Sequence, residues 1–575
     1  MLFTVIARIA KTAGLGDHTG VGKCFFRTVS SGLSVIFLKP GRDLGRGIMA
    51  TVREVTFDLL RSRGMTTIFG NPGSTELPFL KDFPEDFSYV LGLHEATALG
   101  MADGYAQGTG RAALVNLHTA PGLGNAMGAM VTAYHNKTPL VVTAGQQDRR
   151  HVALEPLLTG KLVELAEPYV KRSHEPARAE DVPGEIQRAY HTAMRHPRGP
   201  VFVSIPMDDW EAEVEPPDAR EVFYASAPDP EGLKKVAEAL RGAHRPAIVA
   251  GAGVARTHAF GDVVELAQKL KAAVWEAPFS SLIGFPQDHP LFRGQLPFVQ
   301  KQLAERLSPH DVVLVLGAPV FTYYPYVPGP TVEEGTQVFQ ISEDPEDTAQ
   351  AAVGTGLVGD IGMAVRGLAD LLPEADRTEP PAQEEPPIPE ATAPISVDYL
   401  MHVLSEVLPE ATVVVDEATS SKPKLHEHVR VNDPVGYHTS AAGGLGFGMP
   451  ASVGLKLALP ERPVVCVIGD GSSMYSFQAL WSAARYGANV AFVVVNNRGY
   501  SILKGFRDDI GAGDEVPGLD VPGINFVEAA KSLGCEGETV EEAQHLRGVL
   551  TRAFDAGRPY LVDVVVSEEV PRLLG

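Results

Sequence analysis

Short, near-continuous runs of Val, Ile and Leu recur along this chain, separated by segments with helical periodicity. Strands of a parallel sheet that is covered on both faces have this composition, whereas strands with one face in water alternate apolar and polar residues. The predicted buried strands are 112–115, 201–205, 247–250, 312–316, 413–415, 464–468, 492–495 and 561–566. Their alternation with helices predicts an α/β fold with mainly parallel sheets joined by right-handed crossovers.

Two segments between these units have a composition that cannot form a core. Residues 215–230 carry several prolines and acids, and residues 373–394 contain seven prolines and six acids. Such stretches are typical of extended surface linkers. At 575 residues the chain is too long for one hydrophobic core, so we expect three α/β domains at 49–215, 230–372 and 395–575.

The first 48 residues differ from the rest, because they hold seven Lys and Arg residues and only two acids, Asp17 and Asp43. A basic, acid-poor start is compatible with a targeting peptide, but the segment has no clear cleavage signal. An amphipathic segment at 52–60 follows Met49 directly. We therefore interpret residues 1–48 as an extension outside the fold.

The net charge is −22, and the three cysteines, Cys24, Cys466 and Cys535, lie far apart. An acidic surface repels phosphate backbones and anionic lipid, which argues against nucleic acid and membranes as partners. Three isolated cysteines fit neither a zinc site nor a disulfide framework, which favours a reducing, cytoplasmic location. An anionic small-molecule ligand would need a local positive centre, such as a metal ion.

A pair of polar motifs follows two neighbouring predicted strands near the carboxyl terminus. The sequence Gly-Asp-Gly-Ser occupies 469–472, Asn-Asn occupies 496–497, and Asp470 and Asn497 are 27 residues apart. That separation suits one strand–helix–strand unit and places both side chains where open α/β sheets bind ligands. Carboxylate and amide oxygens suit Mg²⁺ (or Ca²⁺), and the carbonyl of Gly499 is a candidate third ligand.

The same motif predicts a diphosphate beside the metal. The N–H groups of Gly471 and Ser472 begin a helix and would face an anion there. An isolated Gly-Asp-Gly-Ser is more often a turn with a helix cap, but the strand context and the paired spacing favour the site. A dinucleotide site is disfavoured because Arg256 stands where the third glycine of its fingerprint belongs, so we interpret Gly251 as a structural turn.

This arrangement is similar to the metal and diphosphate motif of the thiamine-diphosphate (ThDP) enzyme superfamily. The resemblance implies that Glu95, in Leu-His-Glu-Ala-Thr-Ala-Leu-Gly at 93–100, interacts with the aminopyrimidine of ThDP. It implies that Leu445, in Gly-Gly-Leu-Gly, wedges between the two rings of a bent cofactor while the Gly443 carbonyl accepts from its amino group. Tyr500 is a further expected cofactor contact.

Several stretches resemble the decarboxylase/carboligase branch of this superfamily, and within it the benzoylformate decarboxylases. They are Phe-Gly-Asn-Pro-Gly-Ser at 69–74, continuing as far as 87, and the stretches at 116–118, 317–321 and 516–524. The resemblance implies that Ser74 binds the substrate carboxylate and that His118 relays protons, which suits the intrinsic pKa of an imidazole.

The substrate pocket departs from the decarboxylase pattern. Tyr324 stands where the pattern has a second catalytic histidine, and tyrosine is a poorer proton shuttle because its ordinary pKa is near 10. Thr439 and Ile502 replace Phe and Ala in the aryl pocket, whereas Phe506 is retained. The implied reaction is decarboxylation of a 2-oxo acid, with an aromatic acid such as benzoylformate, which would give benzaldehyde and CO₂, as the first expectation.

The resemblance also implies a homotetramer with each active site between subunits. Two other functions stay open. One is carboligation of the acetolactate synthase type, and the other is a non-catalytic subunit with the ThDP fold. Ser74 with His118 favours decarboxylation, and the presence of Glu95, Asp470 and Asn497 argues against a subunit without turnover.

Overall fold

The computed structural model describes residues 49–513 and 515–571, so the predicted extension at 1–48 lies outside the described residues. The described chain forms three six-stranded sheets, and every strand pair within them is parallel. A two-stranded antiparallel pair, Ala50–Thr51 with Glu213–Val214, joins the two ends of the first unit. The predicted α/β class with three parallel sheets is confirmed.

The first sheet is built from residues 67–206. Its strands lie in the order Ser88–Leu91, Thr67–Gly70, Ala113–Leu117, Leu140–Gln146, Val201–Pro206 and Ser173–His174. Its helices are Val52–Ser62, Leu77–Leu80, Glu95–Thr109, Thr119–His135, Leu162–Ala166 and Val182–Met194.

The second sheet is built from residues 246–358. Its strands lie in the order Phe292–Gln295, Ala273–Glu276, Pro246–Ala250, Val312–Leu316, Gln337–Ser342 and Thr355–Val358. Its helices are Pro230–Gly242, Ala252–Arg256, Phe260–Leu270, Gln300–Leu307, Pro345–Ala349 and Ile361–Leu371.

The third sheet is built from residues 413–565. Its strands lie in the order Tyr437–Thr439, Val413–Glu417, Val464–Gly469, Val490–Asn496, Tyr560–Val565 and Glu536–Val540. Its helices are Val397–Val407, Lys422–His428, Gly448–Ala458, Asp470–Ser473, Ala479–Tyr486, Ser501–Asp509, Phe526–Ser532 and Ala543–Asp555. No helix in the described ranges is long and apolar enough to cross a bilayer.

The sheets are buried on both faces, as the continuous apolar runs require. Along Val464–Gly469, Val464 and Cys466 point into one hydrophobic cluster while Val465 and Val467 point into another. A strand between two cores needs apolar residues at every position, so its sequence shows no alternation. All eight predicted strands are confirmed to within two residues at each end.

The first and third units share one hydrophobic core, which fixes their relative position. Helix Glu95–Thr109 packs against helix Gly448–Ala458, and Leu99, Met101, Val453 and Leu455 lie in the same cluster. Glycines make the approach possible. A Cβ on Gly104 would lie 2.1 Å from the carbonyl oxygen of Ala451, which a real side chain could not tolerate.

The predicted turn at Gly251 continues into the short helix Ala252–Arg256. A Cβ on Gly251 would lie 2.7 Å from the Gly317 carbonyl oxygen, and a Cβ on Gly253 would lie 2.6 Å from the Gly317 Cα. These glycines therefore allow two loops of the central unit to pack closely.

Candidate active site

Two adjacent strands of the first sheet end at the amino-terminal candidate residues. Strand Thr67–Gly70 leads into the turn that carries Ser74, and its parallel neighbour Ala113–Leu117 ends just before His118. Ser74 is exposed to solvent. A Cβ on Gly73 would lie 2.3 Å from the His118 ring, so only glycine allows the turn to approach the imidazole.

His118 is held by Glu76, a residue that the sequence reasoning did not single out. The Glu76 side chain is 1% exposed, and its Oε2 lies 2.8 Å from His118 Nδ1 and accepts the Gly73 N–H at 2.8 Å. Its Oε1 accepts the Thr75 hydroxyl at 2.7 Å and the Gly145 N–H at 2.9 Å. A carboxylate only accepts, so this contact assigns the proton of the neutral ring to Nδ1 and leaves Nε2 available.

Glu95 is the first residue of helix Glu95–Thr109 and is buried. Its Oε2 accepts the Asn125 amide at 3.0 Å, and its Oε1 accepts the Asn71 amide at 3.4 Å. Asn71 lies in the turn that leads to Ser74, so this turn contacts both the carboxyl group of Glu95 and the ring of His118. Two donors do not saturate a carboxylate, which keeps acceptor sites for a ligand.

The carboxyl-terminal candidates lie together at the edge of the third sheet. Strands Val464–Gly469 and Val490–Asn496 pair in parallel, and Asp470 and Asn497 follow their ends. Oδ2 of Asp470 and Oδ1 of Asn497 both accept the Gly499 N–H, at 3.1 and 3.3 Å. The two predicted metal ligands are therefore brought within reach of one backbone group.

The chemistry of these donors fits a metal ion. Asp470 is 2% exposed, and burial raises its pKa from the ordinary value. Its carboxylate accepts from backbone N–H groups, and no cationic side chain pairs with it among the residues at 49–513 and 515–571. A buried carboxylate without a cation is costly, and a divalent ion would offset that cost.

The proposed diphosphate side shows one difference from expectation. The Gly471 N–H donates to Asp470 Oδ1 at 2.7 Å, so it is already paired in this structure, whereas the sequence suggested that it faces the diphosphate. Ser472 is buried beside it. The Tyr500 ring covers Gly471, since a Cβ there would lie 2.5 Å from the ring.

The loop at 441–447, which follows strand Tyr437–Thr439, carries Gly443 and Leu445. Gly443 is exposed with φ +67°, and Leu445 is half-buried. Ser440, one residue before the loop, has a buried hydroxyl oxygen with no hydrogen-bond partner within the described chain. Exposed backbone, a half-buried leucine and an unpaired hydroxyl suit a surface that binds a ligand.

The predicted aryl-pocket residues belong to the central unit, for Tyr324, and to the third unit, for Thr439, Ile502 and Phe506. The rings of Tyr324 and Phe506 meet edge to face, with centroids 5.3 Å apart, and Tyr324 is 61% exposed. Ile502 is half-buried in the same helix as Phe506. Thr439 is buried, and its hydroxyl donates to the Asp416 carbonyl at 2.7 Å and accepts from Lys422 Nζ at 3.1 Å. Its polar atom is thus already used by protein groups.

The candidates thus fall into separate groups within one chain. One group contains Glu95, Ser74 and His118, and another contains Asp470 and Asn497. No hydrogen bond or ion pair joins these two groups within the part of the chain that the structure describes.

Comparison with known proteins identifies the class of enzyme that this fold and these motifs define. The chain matches the model for the N-terminal TPP-binding domain of thiamine pyrophosphate enzymes over residues 50–165. It matches the central domain of the same enzymes over 233–368 and the C-terminal TPP-binding domain over 417–564. The chain belongs to the thiamine pyrophosphate (ThDP) enzyme family, and its cofactor is ThDP.

Within this family the chain is similar to benzoylformate decarboxylases. It is 43% identical to the benzoylformate decarboxylase of Pseudomonas aeruginosa over 90% of this chain and 99% of that one. The benzoylformate decarboxylase structure from Polynucleobacter necessarius superposes with a TM-score of 0.88 at 41% identity, covering 91% of this chain and all of that one (100%). The ThDP-dependent 4-hydroxybenzoylformate decarboxylase of Rhodococcus jostii gives 0.88 at 43% identity, with coverage of 91% and 100%.

Acetolactate synthases are more distant relatives. A putative acetolactate synthase large subunit of Mycobacterium tuberculosis is 28% identical over 91% of this chain and 99% of its own length.

Proposed function

We propose that this chain decarboxylates an aromatic 2-oxo acid with ThDP and Mg²⁺, converting benzoylformate to benzaldehyde and CO₂. The observation that carries the proposal is the His118 cluster, in which buried Glu76 holds Nδ1 of an imidazole that lies against Gly73, the residue before Ser74. Decarboxylation to an aldehyde needs a proton donor near the reacting carbon, and an oriented imidazole is suited to that task. The 43% identity to a benzoylformate decarboxylase supports the same reaction.

The cofactor, when bound, supplies an electron sink for the electrons that are released as CO₂ leaves. Asp470, Asn497 and the Gly499 carbonyl would hold Mg²⁺, with carboxylate, amide and carbonyl oxygens that suit this ion. Because the Gly471 N–H is paired with Asp470, the Ser472 N–H and the metal are the better candidates for binding the diphosphate.

The residues around the rings would control the conformation and the protonation of the cofactor. Glu95 would hydrogen-bond the aminopyrimidine, and two amide donors orient its carboxyl group. Leu445 would wedge between the rings, the Gly443 carbonyl would accept from the amino group, and Tyr500 would pack nearby. These assignments rest on the family resemblance and on the positions of the side chains.

Ser74 and His118 would handle the substrate. Ser74 is exposed at the turn, and its hydroxyl would donate to the substrate carboxylate. His118 would donate a proton through Nε2, since Nδ1 is occupied by Glu76. The negative charge of Glu76 would stabilise the protonated imidazole during this transfer.

The aryl group would be enclosed by the side chains of Tyr324, Ile502, Phe506 and Thr439. The exposed Tyr324 ring, packed on Phe506, offers an aromatic face and a phenol at the rim of the pocket. The phenol would donate a hydrogen bond to a bound acid at that rim. A para-hydroxylated acid is the natural second substrate to test, since the Rhodococcus relative carries that name.

A second copy of the chain would complete each site, in a homotetramer. Glu95 and Asp470 lie in separate groups within one chain, and strongly apolar side chains such as Leu154 (82% exposed) and Leu157 (87% exposed) lie open on the first unit. Exposed apolar residues of this kind are common at subunit interfaces. The cytoplasmic location rests on cysteine usage and remains a prediction.

The test is the release of CO₂ and aldehyde from benzoylformate, 4-hydroxybenzoylformate, phenylpyruvate and pyruvate, with ThDP and Mg²⁺ present and then with both removed. Release from an aryl acid only when both are present is the expected result. Release from pyruvate alone, with a product that contains two substrate units, would replace the proposal by carboligation. No turnover of any acid by protein with bound ThDP would favour a non-catalytic role.

A further inference from the structure

The loop at 441–447 is held at its carboxyl end by hydrogen bonds to a buried carboxyl group. Glu417 ends strand Val413–Glu417 and is 4% exposed. Its Oε1 accepts the Gly446 N–H at 2.7 Å, and its Oε2 accepts the Gly448 N–H. These two N–H groups lie one residue and three residues after Leu445. The carboxyl group therefore fixes the backbone immediately beyond the leucine.

At its amino end, the same loop is held by a hydrogen bond to a residue of the first unit. Asn136 is 3% exposed, and its Oδ1 accepts the Ala441 N–H at 2.8 Å. Asn136 directly follows the helix Thr119–His135, which begins next to His118. The loop that carries Leu445 is thus bound to the helix that begins at the proposed proton donor.

A buried acid supports Asn136. Asp103 Oδ2 accepts the Asn136 amide at 3.3 Å, and its Oδ1 accepts the Thr138 hydroxyl at 2.6 Å and the Gln107 amide at 2.7 Å. The Gln107 Oε1 lies 2.9 Å from Nδ1 of His438, which precedes the loop by three residues. Asp103 and Gln107 belong to the helix that begins with Glu95.

Between these two contacts the loop makes a long backbone hydrogen bond, from the Gly443 N–H to the Ser440 carbonyl at 3.5 Å, and Phe447 is buried. Gly443 has open space where a side chain would be, and its φ of +67° is a conformation that other residues rarely adopt. Gly446 has φ +102°. A glycine-rich segment has many accessible conformations, so its shape depends on the side chains that hold it. Loss of the hydrogen bonds at either end of the loop is therefore expected to displace Leu445 and the Gly443 carbonyl.

We propose that Glu417 and Asn136 are positioning residues that set the place of Leu445 and the Gly443 carbonyl against ThDP. The inference rests on the proposed function of those two loop groups. Neither Glu417 nor Asn136 contacts the reacting atoms in this account. Each acts by holding the loop, so its loss should change cofactor binding and cofactor conformation before it changes recognition of the substrate.

The test measures the dissociation constant for ThDP in the presence of Mg²⁺ and the rate of hydrogen–deuterium exchange at C2 of bound ThDP, both without substrate. In Glu417→Gln, one loop N–H faces an NH₂ group. The cost of a buried donor without an acceptor corresponds to a change of roughly tenfold or more in an equilibrium constant. We expect ThDP binding to weaken and C2 exchange to slow by about that factor, while KM for the aryl acid changes little.

Leu445→Ala shows what loss of the wedge itself does, and Glu276→Gln is the matched control. Glu276 also ends a strand, is 2% exposed and accepts two amide donors, Gln287 at 2.9 Å and Gln295 at 3.2 Å. The same substitution there should leave ThDP binding and C2 exchange within about twofold of the unaltered chain.

Asn136→Ala provides an independent arm if Glu417→Gln fails to fold, because it removes only the acceptor for Ala441 N–H and the donor to Asp103. Wild-type values for both variants would overturn the inference, even if the enzyme decarboxylates benzoylformate as proposed. Conversely, an unaltered chain that releases no CO₂ from any aryl acid would overturn the proposed function, while the binding and exchange measurements would still decide the roles of Glu417 and Asn136.

Discussion

Replacement of Glu76 by glutamine tests whether the buried carboxylate makes His118 competent for proton transfer. The carboxylate accepts from four donors in the folded chain. Glutamine keeps one oxygen and substitutes an NH₂ group for the other. In either orientation one buried N–H, of Gly73 or of Gly145, loses its acceptor, which costs about 1–3 kcal/mol of unfolding free energy.

The effect on catalysis should exceed the effect on stability. The amide carries no negative charge, so it stabilises a protonated His118 less, and one amide orientation also favours the other ring tautomer. General acid–base catalysis contributes about 10²- to 10⁴-fold, and we expect kcat for benzoylformate to fall by about 10²-fold. The dissociation constant for ThDP should stay the same, because the hydrogen bonds of Glu76 go to none of the residues proposed to bind the cofactor.

The matched control is Glu343→Gln in the central unit. Glu343 is 5% exposed and likewise contacts a histidine, with Oε2 2.5 Å from His196 Nδ1, but it also pairs with Arg256 and lies outside the proposed site. The Glu343→Gln substitution should lower the free energy of unfolding and leave kcat unchanged. A folded Glu76→Gln variant with the kcat of the unaltered chain would refute the role of Glu76, and partial recovery in Glu76→Asp would support it.

Three further predictions concern the metal, the pocket and a buried acid. Asp470→Ala should weaken Mg²⁺ binding by about tenfold or more in calorimetric titrations, and chelation should stop turnover in the unaltered chain; unchanged Mg²⁺ affinity would exclude Asp470 as a ligand. Tyr324→His should raise kcat for benzoylformate in steady-state assays, because imidazole moves protons near neutral pH; an unchanged kcat would show that this position does not limit the rate. Burial raises the pKa of Glu276 from 4.5 to about 7. Between these pH values the folded chain therefore holds a proton on Glu276 that the unfolded chain has lost. The contribution of Glu276 to stability is present below pH 4.5 and is lost as pH rises through 7. In denaturant titrations, Glu276→Gln should therefore reduce the loss of unfolding free energy between these pH values by roughly 3 kcal/mol. An unchanged pH dependence would contradict the assignment.

The sequence predicted the fold well because the central strands carry their own signal. Runs such as Val312–Leu316 are apolar at every position and lie between two cores, and no other soluble arrangement uses that pattern so often. Strand Leu140–Gln146 is not among the predicted strands, although its first residues are equally apolar. The edge strands Ser173–His174 and Thr355–Val358 are short or mixed in character, and only pairing with a neighbour defines them.

The site residues were predictable to different degrees. Asp470 and Asn497 follow buried strands directly, so local pattern places both at one sheet edge. Glu417 carries the same signal, an acid at the end of an apolar strand, and could have been found in the same way. Glu76 could not, because its partners His118 and Gly145 lie 42 and 69 residues further along the chain and only the folded sheet brings them together.

Glu95 is the residue on which the assignment of a ThDP-dependent reaction depends most directly. The decisive measurement is turnover of benzoylformate by Glu95→Gln beside calorimetric binding of ThDP to the same protein. The account predicts that turnover falls by about a hundredfold or more while ThDP still binds, since Asp470 and Asn497 would continue to hold the metal and diphosphate. Unchanged turnover by a variant with bound ThDP would contradict the account.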